Sequence, residues 1–132
     1  MSDQDKQKTI LLVDDDPDFL LQISTRLRNE GFRVITAEGQ SEAEKMLEDL
    51  RPDMVISDLM MEHYDGGFGL AEHIRKTNSD IPIIICTSVT NELGFKFSTD
   101  TQDEREWIKA DAVLNKPIRF EQLMKEINKY FS

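Results

Sequence analysis

Short aliphatic runs alternate with helix-like spacings of apolar residues along this chain, and that alternation constrains the fold more than any other feature. The first run, Thr9 to Val13, halts at Asp14-Asp15-Asp16. Pro17 then suits a first helical position, with Asp16 as its N-cap. Phe19, Leu20, Ile23 and Leu27 recur at helical spacing until Gly31. Residues 32–37 read as a second strand. Ser41 and Glu44 have the spacing of a capping box ahead of a stripe formed by Ala43, Met46, Leu47 and Leu50. Beyond Pro52, residues 54–57 form a third strand, with Asp58 just after it. The turn Asp65-Gly66-Gly67 opens a third helix that runs to about Lys76. Residues 81–86 and 112–114 supply the fourth and fifth strands, followed by Thr87-Ser88 and Asn115-Lys116. Phe120, Leu123, Met124 and Ile127 mark a last helix. The stretch 90–110 is the least regular, with one helix expected near 103–109.

Strand–helix alternation implies right-handed crossovers and a mostly parallel sheet. Aliphatic strands without polar alternation suit a sheet covered on both faces. The 132 residues fit one domain, and 39% apolar with 32% charged residues predicts a soluble globular protein. No apolar run approaches the roughly 20 residues of a membrane span. The polar start predicts no signal peptide. A single cysteine, Cys86, excludes an internal disulfide framework and fits a reducing cytoplasm. With 26 acidic against 16 basic residues, the net charge of −10 argues against direct binding of nucleic-acid phosphates.

In such sheets, ligands bind beyond the carboxyl ends of the strands. The residues placed there are Asp14, Asp15 and Asp16, then Asp58, then Thr87-Ser88, then Lys116. Singly, each has a plain structural reading: turn former, helix cap, loop hydroxyl or solvated ammonium. Together they say more. Two carboxylates about 4 Å apart repel by roughly 4 kcal/mol at an effective dielectric of 20. Such crowding calls for a cation. Hard oxygen ligands suit magnesium, and magnesium beside a lysine makes a site for a phosphoryl group. On this argument Asp14→Asn is expected to stabilise the metal-free protein.

Four segments in order, ILLVDDDPDF (10–19), VISDLMM (55–61), ICTS (85–88) and LNKPI (114–118), resemble the receiver domain of bacterial two-component response regulators. The resemblance covers residues 8–131 and leaves 1–7 as a polar tail. It implies an α/β, flavodoxin-like, doubly wound sheet of five parallel strands in the order 2-1-3-4-5, with helices on both faces. It implies that Asp58 is the phosphoacceptor, served by Thr87 and Lys116. Mg2+ (or Mn2+) would be bound by Asp15, Asp58, the backbone carbonyl of Met60 and, through water, Asp14. The Ser88 backbone would contact the phosphoryl group, and the Lys116–Pro117 bond would be cis. The implied partners are a sensor histidine kinase or histidine phosphotransfer protein and a downstream target. The state would be a monomer or a phosphorylation-dependent dimer. The implied role is a stand-alone cytoplasmic switch and not a turnover enzyme.

Three features depart from the family pattern. Glu62 stands where proline is usual, and glycines 66, 67 and 69 predict a mobile segment over 61–69. Val113 occupies a switch position that often carries an aromatic ring. The span from Thr87 to Lys116 is long, and Phe95, Phe97 and Trp107 within it are candidates for an output surface or for extra core, with Trp107 reading rather as core. His63 and His73 lack metal-ligand spacing; His63 is close enough to Asp58 in sequence to overhang the site. Cys86, Met46, Met54 and Met124 read as core, and Asp103, Glu104 and Glu106 as a solvated face. Two other functions fit parts of the pattern. One is a haloacid dehalogenase-like phosphatase using Asp14, although no acidic pair follows Lys116. The other is a docking module independent of phosphate.

Overall fold

The computed structural model describes residues 7–58, 66–77, 80–87 and 110–131. In chain order the elements are β1 (Thr9–Val13), α1 (Pro17–Asn29), β2 (Arg33–Ala37), α2 (Gln40–Met46), β3 (Met54–Asp58), α3 (Gly66–Thr77), β4 (Ile83–Thr87), β5 (Ala112–Asn115) and α4 (Phe120–Tyr130). The strands form one sheet ordered β2-β1-β3-β4-β5, and every neighbouring pair is parallel. This is the expected doubly wound arrangement.

Alternation along each strand divides the core in two. Ile10, Leu12, Met54, Ile56, Ile84 and Cys86 meet Leu20, Ile23 and Leu27 of α1 and Phe120, Leu123 and Ile127 of α4. Leu11, Val13, Val55, Ile83 and Ile85 meet Ala43 of α2 and Leu70, Ala71 and Ile74 of α3 on the other face. Burial on both faces explains why the strands read as continuous aliphatic runs. Met54 and Cys86 are core residues, and Met46 and Met124 pack against its edges. No helix among the described residues is long and apolar enough to cross a membrane.

Helix α1 starts as its sequence predicts. Pro17 is the first helical residue, and the Asp18 N–H donates to Asp16 Oδ1 at 3.0 Å. Past its end Gly31 takes φ of +101°, a conformation that a side chain would strain.

Helix α2 departs from expectation. It begins at Gln40, so Ser41 lies inside it and Gly39 is the N-cap without a side-chain bond. The capping-box register is not the one adopted, because the helix starts two residues too early for Ser41 to be its N-cap. Gln40 Nε2 donates to Glu44 Oε2, and the Glu38 N–H donates to Glu42 Oε1. The regular helix stops at Met46, and Leu47 packs against the core from the following turn.

Glycines 66, 67 and 69 belong to α3 rather than to a loop. A Cβ at Gly69 would approach Gln40 Nε2 to 2.7 Å, so this glycine permits close approach of α3 to the start of α2. Residues 61–65 of the expected mobile segment, like 88–109, lie outside the described residues.

The strand ends also shift. Asp58, Thr87 and Asn115 are the last residues of their strands rather than the first beyond them. The ladder outlasts the apolar run because Asp58 pairs with Cys86 and Thr87 with Asn115. At its start β4 loses residues 81 and 82: Pro82 has no N–H, and the Ile83 N–H donates to the Asp111 carboxylate, which also holds Arg75 at 2.7 Å.

Candidate functional site

The three consecutive aspartates have three different surroundings. The backbone of Asp14 continues the ladder, its N–H donating to Ala37 O at 3.1 Å. Its side chain is wholly buried and points its oxygens two ways. Oδ1 accepts the Asp16 N–H at 2.9 Å, and Oδ2 accepts Lys116 Nζ at 2.8 Å. Asp15 is exposed at the rim. Asp16 is occupied in capping α1 and is not part of the cluster.

Asp58 reaches the same place from the end of β3. It is buried, and its Oδ1 lies 3.5 Å from Lys116 Nζ. Carboxylate oxygens of Asp14, Asp15 and Asp58 lie within 4.8 Å of one another. Lys116 follows β5, is joined to Pro117 by a cis peptide, and lies 4.5 Å from the centroid of the Phe19 ring. Thus β1, β3, β5 and the first turn of α1 each deliver a group to one rim of the sheet.

The electrostatics are lopsided. Three carboxylates share one ammonium, which leaves two negative charges uncompensated when all are ionised. Lys116 is drawn closest to Asp14. Burial alone would lower its pKa, but the bond it donates to Asp14 and the charges of Asp58 and Asp14 outweigh burial and hold it above the usual lysine value. Asp58 is less well served. Burial, reinforced by Asp14 and Asp15, raises its pKa from 3.8 to about 6 against the pull of Lys116. The neighbouring Cys86 thiol is pushed by burial up to about 12, so it is an inert core residue.

This distribution revises the expectation for Asp14→Asn. That substitution removes the partner of Lys116, so the relief of crowding should be sought at Asp58 instead. A carboxyl whose folded pKa lies above its unfolded value costs stability once ionised. In chelator the cost is absent below about pH 4, grows as pH rises, and is complete above about pH 6. The stability difference between Asp58→Asn and the unsubstituted protein is therefore expected to fall by about half between pH 7.5 and pH 5. Denaturant melts at the two pH values check this, and a constant difference would contradict a raised Asp58 pKa.

The donor set suits a hard divalent cation: oxygen ligands, two surplus negative charges, and one ligand, Asp15, already facing solvent. Thr87 ends β4 beside Asn115, in register with the site, but its side chain is not described. Met60, Ser88, His63, Phe95, Phe97, Trp107, Asp103, Glu104 and Glu106 lie outside the described residues. Val113 is half-buried and packs against the core on the α2–α3 face. His73, on α3, is not among the cluster residues. The residue that the sequence reading passed over is Phe19. Its place in the apolar stripe of α1 concealed its second contact, with Lys116; its nearness to the aspartate run was the only available hint.

Comparison with known proteins agrees with this geometry. The family model for the response regulator receiver domain matches residues 10–128. The transcriptional regulatory protein GlrR of Escherichia coli is 43% identical over 83 residues, 63% of this chain and 18% of that protein. A probable transcriptional regulator, ycf27, of Guillardia theta is 38% identical over 87 residues, 66% of this chain and 34% of that protein. The chain thus spans only a fifth to a third of the length of these curated relatives.

Among solved structures, response regulator TrrA of Thermotoga maritima, in complex with Mg(2+)-BeF, superposes with a TM-score of 0.77 at 30% identity. That match covers 94% of this chain and 99% of the other. Chemotaxis response regulator CheY4 of Vibrio cholerae gives a TM-score of 0.76 at 27% identity, over 94% and 98%. The phosphatase reading is set aside, since the matched family is that of receiver domains, which are signalling phosphoacceptors. With its five-stranded sheet, its Asp14–Asp15–Asp58 pocket and Lys116, the chain belongs to the response regulator receiver domains, which are signalling phosphoacceptors and not turnover enzymes.

Proposed function

We propose that Asp58 is the phosphoacceptor of this receiver and that its donor is a phosphohistidine on a sensor kinase or a histidine phosphotransfer protein. The observation that carries the assignment is its position. Asp58 ends the central strand, is buried, and has a cation at 3.5 Å and two further carboxylates within 4.8 Å.

The chemistry follows from charge. An Asp58 oxygen forms a bond to phosphorus while the phosphorus–nitrogen bond of the donor breaks, and the imidazole keeps the electron pair and takes up a proton. The nucleophile must be ionised, which a pKa of about 6 allows at neutral pH. Burial leaves that anion poorly solvated and hence reactive. Lys116 offsets the charge of the incoming phosphoryl oxygens. Thr87 and the Ser88 backbone are assigned the remaining phosphoryl contacts.

Asp15, Asp58 and the Met60 carbonyl, with Asp14 through water, would hold Mg2+ or Mn2+. When bound, the ion neutralises charge on acceptor and phosphoryl oxygens and orients them. The structure of TrrA with Mg(2+)-BeF supports this choice of ion. Residues 8–131 are proposed as the folding unit. Thr87, Val113, Phe95 and Phe97 are proposed as the route from phosphorylation to a target protein inside the cell. Changes of oligomeric state with phosphorylation belong to the same proposal, and direct contact with nucleic acid does not.

The test is incubation with acetyl phosphate and Mg2+, followed by peptide mapping. One phosphoryl group on the peptide containing Asp58, lost when chelator replaces Mg2+, is the expected result. Label on Asp14 or Asp15, or none at all, would overturn the assignment.

A further inference from the structure

Lys116 has a third neighbour that carries no formal charge. Its Nζ lies 4.5 Å from the centroid of the Phe19 ring, while Asp14 Oδ2 is at 2.8 Å and Asp58 Oδ1 at 3.5 Å. The face of an aromatic ring is electronegative and attracts an ammonium. Unlike a carboxylate, the ring takes no strong hydrogen bond from it. Lys116 is therefore held on one side by Asp14 and on another by a surface that does not compete for its N–H groups, which already face Asp58 at 3.5 Å.

The ring is itself fixed in place. Phe19 is the third residue of α1, whose start is set by Pro17 and by the Asp16 cap. It is half-buried against the α1–α4 core. The turn that delivers Asp14 and Asp15 thus also delivers the ring that braces their counter-charge.

We propose that Phe19 is a positioning residue for phosphoryl transfer, holding the Lys116 ammonium at the rim beside Asp58. The inference rests on Asp58 being the acceptor. Without the ring the long lysine stem spends more time turned to water, and the ammonium meets the incoming anion less often. A contact of this kind corresponds to about a fivefold change in rate.

Initial rates of Asp58 labelling by acetyl phosphate at saturating Mg2+ test it. Phe19→Leu removes the ring face and is expected to slow labelling about fivefold. Phe19→Tyr keeps the face and is expected to stay within about twofold of the unsubstituted protein. Pentafluorophenylalanine at position 19 keeps size and shape but reverses the ring's polarity, so it separates electrostatics from packing. It is expected to slow labelling at least as much as Phe19→Leu does, in a protein that remains folded. If the unsubstituted protein labels on Asp58 and the fluorinated protein labels at the same rate, the positioning role is overturned while the acceptor stands. If the unsubstituted protein takes no label, both fall together.

Discussion

Asp58→Asn is expected to abolish phosphoryl labelling and, in chelator at pH 7.5, to make the protein more stable by about 2–3 kcal/mol. The two effects have one cause. Burial with Asp14 and Asp15 nearby raises the Asp58 pKa from 3.8 to about 6, and each unit of that rise is about 1.4 kcal/mol by which the folded protein disfavours the ionised form. Asparagine has nearly the shape of the protonated acid and avoids the penalty. For a chain of this length the gain corresponds to about 6–12 °C in melting temperature. Lys116 keeps its 2.8 Å partner, Asp14, in the variant, so no cation is stranded. Thermal melts in chelator and labelling assays on the same sample check both halves. A variant that loses the label but also melts lower would show that Asp58 is held by favourable bonds and not against its charge. Saturating Mg2+ is expected to erase the difference, because an ion that binds only the folded protein stabilises it by mass action and does so best with all three carboxylates present.

Lys116→Met is expected to move stability the other way. Methionine retains most of the stem that lies near Phe19 and removes the ammonium. Asp14, wholly buried, then loses its 2.8 Å ion pair, and Asp58 loses its counter-charge at 3.5 Å. Removing one partner of a fully buried pair costs about 3–5 kcal/mol. Lys116 keeps about a fifth of its side chain exposed, so water enters where the ammonium was, and about 2 kcal/mol is expected in chelator. Melting in chelator measures it. Most of the loss should return with Mg2+, which supplies positive charge to the same oxygens, while labelling of Asp58 should remain strongly depressed because the incoming phosphoryl group still lacks its ammonium. Coupling to Asp58 is a further consequence. Introduced into the Asp58→Asn background, Lys116→Met should cost less than it costs the unsubstituted protein, since one of the two stranded charges has been removed. Strict additivity would mean that Lys116 and Asp58 do not share one electrostatic site.

Local patterns in the chain were enough to set the sheet. Aliphatic runs buried on both faces, separated by helical stripes, admit few arrangements other than parallel strands with crossovers. The Asp16–Pro17 start of α1 and the turn at Gly31 follow from backbone chemistry within a few residues. The same patterns placed Asp14, Asp15, Asp58 and Lys116 at one rim, because a parallel sheet brings every strand's carboxyl end to the same side. The misplaced features were those decided by a neighbour. Ser41 and Glu44 have capping-box spacing, but α2 begins at Gln40, with Gly39 at its cap. Asp58 and Thr87 looked like loop residues, yet Cys86 and Asn115 across the ladder draw them into strands.

Within the site the division is sharper. Residue types and their order along the chain determined that negative oxygens and one ammonium would converge. Which carboxylate takes the ammonium was decided only by tertiary structure: Asp14 has it at 2.8 Å and Asp58 at 3.5 Å. So was the pKa of about 6 that burial gives Asp58, and the ring of Phe19 beneath the cation. The reason is one of range. Strand and helix formation depend on contacts a few residues apart, whereas Coulomb energies among groups on four different elements change severalfold with ångström shifts and with access to water.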